Sequence, residues 1–257
     1  MISKNKVLGT VSPDFDGAEF DVVTGGNDIL FDWSPMLIPN GTCVIRSVGG
    51  TIMGNNGAAA NGIDFRLYFA KSIDGAAPTS FGTAHAAQGA NQAPAFRRNI
   101  LGALLVDMSS IDDADNLITY NVIQSKLANA GSTAGELRVD IMLEGEPNLT
   151  TTGYQTIYVA GELIGSTMDF GTDVDLNMVG HQAASTTAVQ ITTSGTDPRL
   201  VFQPGDIVVG STGTFEAEVV SVDSATLMTV KNVTAQIDHT EQILHKNPMT
   251  FNFGLEY

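Results

Sequence analysis

Short runs in which apolar and polar residues alternate constrain this chain more than any other feature of its sequence. In Phe65-Arg66-Leu67-Tyr68-Phe69 every second residue is large and apolar. Successive side chains of a strand point to opposite faces, so Phe65, Leu67 and Phe69 predict a buried face and Arg66 and Tyr68 the other. Leu137, Val139, Ile141 and Leu143 alternate with Arg138, Asp140, Met142 and Glu144 and predict one strand through 138–144. Residues 42–53, 118–127 and 155–164 are rich in β-branched side chains and bounded by Gly or Asn, which predicts further strands. Helical periodicity is scarce. A single turn or short helix is expected at 109–114, where a serine caps and early carboxylates suit the positive end of a helix dipole. The pattern predicts an all-β fold, a sandwich or a barrel.

The turn signals also divide the chain. After Thr167 the sequence becomes acidic and turn-rich, then Thr- and Ser-rich over 183–195, which predicts a junction. From Pro204-Gly205-Asp206 onward, short strands at 207–209, 215–222 and 227–230 follow one another closely, as in a small barrel. Met249, Phe251, Phe253 and Leu255 alternate with polar or small residues and predict a last strand, which needs a sheet to join. The expected organisation is therefore a sandwich over 1–184, a small β-barrel over 185–246, and a terminal strand at 247–257 that belongs to the sandwich or closes the barrel. Two small-residue loops, 54–62 and 82–94, are long enough to reach neighbouring molecules.

Composition narrows the functional classes. The chain has 257 residues, 28 acidic against 12 basic, for a net charge of −16. Such a surface repels phosphate backbones, so nucleic acid is not an expected partner; solubility is the simplest role for the excess. No apolar run approaches the roughly 20 residues that span a bilayer, the nearest being 99–108, which reads as core. The first residues lack the apolar stretch of a secretory signal, so neither membrane insertion nor export is expected. Cys43 is the only cysteine, which rules out a disulfide within one chain. Asn40, Asn148 and Asn232 each begin a glycosylation tripeptide, and they read as turn and strand residues.

The sequence carries no constellation that assigns a catalytic, cofactor-binding or metal residue. Gly131-Ser132-Thr133-Ala134-Gly135 places its serine one position too early for a nucleophile elbow and reads as a loop. His85, His181, His239 and His245 are dispersed; His239, Glu241 and His245 could meet around a metal only if the chain curled there, so surface or interface roles are expected. Asp14, Asp16 and Glu19, and Asp169, Asp173 and Asp175, group enough oxygens to suggest calcium, but neither matches an EF-hand loop and solvated turns explain them. Gly54, Gly57 and Gly62 lack the spacing of a nucleotide-binding loop. Trp33, just ahead of Pro35 and Pro39, is expected to be partly buried core; exposed, it would anchor an interface.

Residues 31–41 (FDWSPMLIPNG), followed by strands into Phe65-Arg66-Leu67-Tyr68-Phe69-Ala70-Lys71-Ser72, resemble virion structural proteins of tailed phages from aquatic bacteria. The unit from Pro204-Gly205-Asp206-Ile207-Val208 to Val230 resembles small barrels that recur in phage structural proteins. The resemblance implies a jelly-roll-like sandwich with a second small barrel, non-enzymatic, attached to the outer capsid surface as a decoration or cement protein. It implies a homotrimer, the major capsid protein or other virion proteins as partners, synthesis in the host cytoplasm, and no cofactor. A tail, neck or fibre component and a carbohydrate- or receptor-binding module are the alternatives, the latter requiring exposed aromatic platforms.

Overall fold

The computed structural model describes residues 5–15, 28–53, 64–82, 98–106, 113–114, 117–122, 124–126, 136–138, 140–164, 176–212 and 214–257. In chain order the strands are β1 (Lys6–Val11), β2 (Ile29–Pro39), β3 (Cys43–Met53), β4 (Phe65–Lys71), β5 (Ile100–Val106), β6 (Asp113–Ala114), β7 (Leu117–Val122), β8 (Gln124–Lys126), β9 (Glu136–Arg138), β10 (Ile141–Leu143) and β11 (Glu146–Pro147). They continue with β12 (Tyr154–Leu163), β13 (Leu176–Val179), β14 (Val189–Gly195), β15 (Ile207–Gly210), β16 (Glu216–Ser224), β17 (Leu227–Lys231), β18 (Ile243–His245) and β19 (Met249–Glu256). The protein is all-β, and every strand pairing is antiparallel.

Two sheets form a sandwich. One runs β1-β19-β3-β7-β6 with β10 also on β3, and the other runs β11-β12-β4-β5 with β2 on the far side of β12. Setting aside the short β6, β10 and β11, the layers are β1-β19-β3-β7 and β2-β12-β4-β5. Numbered by chain order, those strands pair first with eighth, second with seventh, third with sixth and fourth with fifth. That is a long hairpin ribbon rolled up on itself, with β19–β3 and β12–β4 as the seams that close the roll. The sandwich is a jelly roll.

Its core follows directly from the alternation. Phe65, Leu67 and Phe69 from one sheet meet Met249, Phe251, Phe253 and Leu255 from the other. Phe69 lies edge-on to Phe253 at 5.4 Å and Phe65 edge-on to Phe251 at 5.7 Å, the geometry that aromatic quadrupoles favour. β19 sits between β1 and β3, so the last strand belongs to the sandwich.

Between β12 and β19 the chain builds a six-stranded sheet ordered β13-β14-β17-β16-β15-β18. Its ends meet: the Met178 N–H donates to the Glu241 carbonyl at 2.9 Å and the Thr240 N–H to the Met178 carbonyl at 3.0 Å, closing a small barrel. Register shifts in the β16–β17 pairing supply the bends that closure requires. The barrel sheet includes β13 from Leu176, ahead of the boundary at 185 read from composition, because the Thr- and Ser-rich stretch at 183–195 lies inside the unit, between β13 and β14 and along β14.

The barrel is seated firmly. Along β15 and β18, Val208 and Ile243 point into the barrel core while Val209 and Leu244 join the sandwich core, so both strands are buried on two faces. Lys246 reaches from the end of β18 to Glu216 at 2.7 Å and Asp14 at 3.3 Å. Asn247 Nδ2 donates to the Pro13 carbonyl at 2.8 Å and to Asp14 at 2.8 Å.

The single strand expected at 138–144 is two: β9 pairs with β8 and β10 with β3, so the run serves two neighbours. The stretch read as strand at 118–127 likewise divides into β7 and β8. Of the helical turn expected at 109–114, the described part, β6, pairs with β7 as strand.

Candidate functional site

The residues that distinguish this molecule lie on the outer face of the second sheet. β12 turns Ile157, Val159 and Leu163 into the core, all fully buried, so Tyr154, Thr156, Tyr158, Ala160 and Glu162 face outward. On one side β2 places Pro39 opposite Tyr154, Leu37 opposite Thr156 and Pro35 opposite Tyr158. On the other, β4 places Tyr68 opposite Ala160 and Arg66 opposite Glu162. Gly161 is required here: a Cβ would lie 2.4 Å from the Phe31 ring.

One end of this face is a polar lock. Tyr68 donates its hydroxyl to Glu162 Oε2 at 2.5 Å, and Arg66 Nη1 donates to the same oxygen at 3.1 Å and to the Tyr68 oxygen at 3.1 Å. The Glu162 side chain is only 5% exposed. Burial, then the Glu162 bond, pushes the Tyr68 hydroxyl above its ordinary range, which keeps it a donor. Its donors and acceptors satisfy one another, so the lock ties β4 to β12; it holds no activated nucleophile or paired acid and base.

A strap crosses the middle of the face. Residues 72–82 leave β4 through a tight turn in which Ile73 bridges Ala76 and Asp74 and Gly75 take positive φ. Glu146 accepts from the Asp74 N–H at 2.9 Å, the Gly75 N–H at 2.8 Å and Ser72 Oγ at 2.9 Å. Those bonds, the backbone ones foremost, hold the Glu146 carboxyl below its usual range. Further along, Asp32 accepts from the Phe81 N–H at 2.7 Å, and Trp33 Nε1 donates to the Thr79 carbonyl at 2.9 Å. Phe81 then packs on Trp33 at 5.5 Å and on Tyr68 at 4.9 Å. Trp33 thus belongs to a satellite cluster outside the main core.

The other end is an open apolar patch. Leu37 is 44% and Tyr154 40% exposed, and Leu149, on the adjoining turn, is 94% exposed. Asn148 shapes that turn, its Oδ1 accepting from the Thr150 and Thr151 N–H groups at 2.9 and 2.7 Å. The described phenylalanines, Phe15, Phe31, Phe65, Phe69, Phe81, Phe202, Phe215, Phe251 and Phe253, are all buried. Three of the five tyrosines and the only tryptophan lie on this face. Phe and Tyr patterns look alike along a strand; only the hydroxyl could have hinted at the difference.

The other residues singled out in the sequence disperse. His245 is buried at the base of the barrel, with Nε2 3.1 Å from Asp206 Oδ2 and its ring 5.2 Å from Phe202. Burial works to raise the Asp206 carboxyl, but the His245 bond and the Gln203 N–H outweigh it and hold the carboxyl low. Glu241, also buried, accepts from the Thr214 hydroxyl at 3.1 Å and the Asp238 N–H at 3.1 Å, bracing the barrel's turns. His239 instead approaches His181, ring centroids 6.3 Å apart, beside Asp238 on the barrel surface. His239, Glu241 and His245 therefore do not converge. Among the described residues no group of three or more His, Cys, Asp or Glu could hold a metal ion.

Asp14 is engaged by Lys246 and Asn247. Cys43 is buried, which pushes its thiol up. Asn40, Asn148 and Asn232 occupy turns or strand ends, Asn232 with a φ of 56°. Asp16, Glu19, Gly54, Gly57, Gly62, His85, residues 131–135, Asp169, Asp173 and Asp175 lie outside the described residues, as do the loops 54–62 and 83–94.

No protein-family model matches this chain, and no curated protein matches it.

Proposed function

We propose that the chain is a non-enzymatic virion structural protein of a tailed phage, a decoration or cement protein that binds the outer capsid surface and stabilises contacts between capsid subunits. The observation that carries this reading is the outer face of the second sheet: broad, aromatic, uncharged at its open end, and spread over two paired strands. A contiguous exposed apolar patch on a soluble protein marks an interaction surface, and partner proteins are recognised by flat aromatic patches of this kind. The jelly roll with its seated barrel supplies a rigid platform, though a fold of this type serves many functions. On a capsid, weak contacts repeated by symmetry add up to firm attachment. The major capsid protein is the partner in this reading, and the chain acts as a homo-oligomer at the particle surface.

A reconstruction of particles from the phage that encodes the chain tests it. Jelly-roll density at regular capsid lattice positions is the expected result. Density confined to the neck, tail or a fibre, at a few copies per particle, would replace decoration by the tail reading. Absence from the purified particle would overturn both.

A further inference from the structure

We propose that β1 is an edge for strand addition and that its occupant is β1 of a second copy, joined antiparallel about a two-fold axis at Leu8. The pairing of β1 with β19 fixes which of its backbone groups are already used. Asn5 and Tyr257 exchange both N–H to C=O bonds, at 3.2 and 3.1 Å. Such pairs alternate along an antiparallel ladder, so Val7, Gly9 and Val11 bond to β19 in the same way, opposite Leu255, Phe253 and Phe251. The N–H and C=O groups of Lys6, Leu8 and Thr10 therefore point away from the sheet, and among the described residues β1 has no second strand beside it. All three side chains are exposed, Leu8 at 64%. A row of outward donors and acceptors on an extended edge is a template for another strand.

The sequence of β1 suits that strand to be its own copy. Centred on Leu8, the antiparallel register sets Leu8 opposite Leu8 of the partner subunit and Lys6 opposite Thr10 of the partner subunit, so every outward N–H and C=O finds its complement. A register centred on Val7 or Gly9 leaves Thr10 or Lys6 beyond the end of the other β1. The Leu8 register also sets Val7 against Gly9 of the partner subunit, where no side chain stands; a Cβ on Gly9 would lie 2.8 Å from Met36 Sδ. Charge agrees. Residues 5–13 hold one cation, Lys6, and no carboxylate, in a chain of net charge −16, so this edge lets two copies meet without opposing carboxylates. Glu256, opposite Lys6 on β19, is engaged by Arg46 at 3.1 Å. The two Lys6 ammonium groups fall at opposite ends of the paired strands, roughly 14 Å apart at the Cα atoms and outside a screening length of about 8 Å. The neighbouring edge does not compete, because β2 carries Pro35 and Pro39, and prolines on an edge block strand addition. The contact is isologous and closes at two, unlike the trimer that the resemblance implied.

This inference goes beyond the decoration reading, and its test contains no capsid, so either can fail while the other stands. Sedimentation equilibrium of the full chain is expected to show a monomer–dimer equilibrium within the range up to several hundred micromolar. Leu8→Pro removes an N–H that bonds nothing within the molecule and is expected to weaken the dimer about tenfold or more, with thermal unfolding unchanged. Leu8→Ala keeps that N–H and is expected to stay within about threefold. Cross-linking by oxidised glutathione reads the register independently of the proline variant's folding. Leu8→Cys places the two thiols on residues about 5.5 Å apart at Cα, within disulfide range, and should link two copies readily; Lys6→Cys, too far from its own copy, should not. The only native cysteine, Cys43, is buried. A monomer throughout that range, equal losses in Leu8→Pro and Leu8→Ala, or equal cross-linking of Lys6→Cys and Leu8→Cys would each overturn the proposal.

Discussion

The two outer faces of the sandwich cover the same core and are built in opposite ways. On the first sheet, Thr10 donates to Asn252 at 3.0 Å and Ser12 meets Thr250 at 3.2 Å, a ladder of small polar side chains satisfying one another. Gly254 and Ser47 floor a groove of about 580 Å³ between Lys6, Leu8 and Arg46, and the Arg46 guanidinium is already engaged by Glu256 and Asp140. The second sheet turns Trp33, Tyr68, Tyr154 and Tyr158 outward instead. The core sets the inward residues of both sheets alike. The outward residues are free of that constraint, and on the second sheet they are the aromatic and apolar side chains on which the proposed function rests.

Three experiments press on this difference, beginning with what both faces share. Phe253→Ala removes a ring at the centre of the common core, where the cost is about 3–5 kcal/mol; chemical denaturation should register it, and a loss below 1 kcal/mol would mean the sheets do not pack as described. Next, Glu162→Ala strips the acceptor from Tyr68 and Arg66 in a buried site, a loss on the order of 2–3 kcal/mol. Its counterpart on the polar face, Asn252→Ala, is expected to cost no more than about 0.5 kcal/mol, since solvent replaces that bond. Equal costs would erase the contrast.

Acid should act on the second face through the strap. Glu146 has a folded pKa lowered by the Gly75 and Asp74 N–H groups, so its contribution is complete above the unfolded value of about 4.3 and is lost as pH falls through the folded one. Trp33, the only tryptophan, reports on the strap directly. Its emission should shift below about pH 4, and Glu146→Gln should show the shifted emission already at neutral pH. Emission that moves only when the whole fold unfolds would make the strap part of one cooperative unit. Smallest of all, Leu149→Ser should change stability by less than about 0.5 kcal/mol, since a side chain 94% exposed contributes little to folding.

Much of this fold was legible locally. Phe65, Leu67 and Phe69 are fully buried, as their spacing predicted, and β19 alternates as its sequence does. The order of strands was not legible, because it depends on pairings such as Thr10 with Asn252, 242 residues apart. The same limit hid the apolar patch: Leu37 and Thr156 are ordinary in their own segments and come together only once β2 and β12 are in register. The seating of the barrel did leave a sign, since Ile207-Val208-Val209 and Ile243-Leu244 break the alternation, as strands buried on both sides do. The division of 138–144 left none, because both partners prefer the same pattern.

The position of β19 has a consequence for how the molecule is made. A nascent chain emerges from its N-terminus, so β1 and β3 leave the ribosome long before the strand that joins them. Until residues 249–256 follow, the first sheet has a vacant central lane with apolar flanks, a state in which another chain's strand can take the place. The inserted barrel, with near neighbours in sequence, can close earlier and shield Val209 and Leu244 only when the roll completes. Synthesis rate across 176–256, more than the stability of the finished fold, should set how much of this protein is recovered intact.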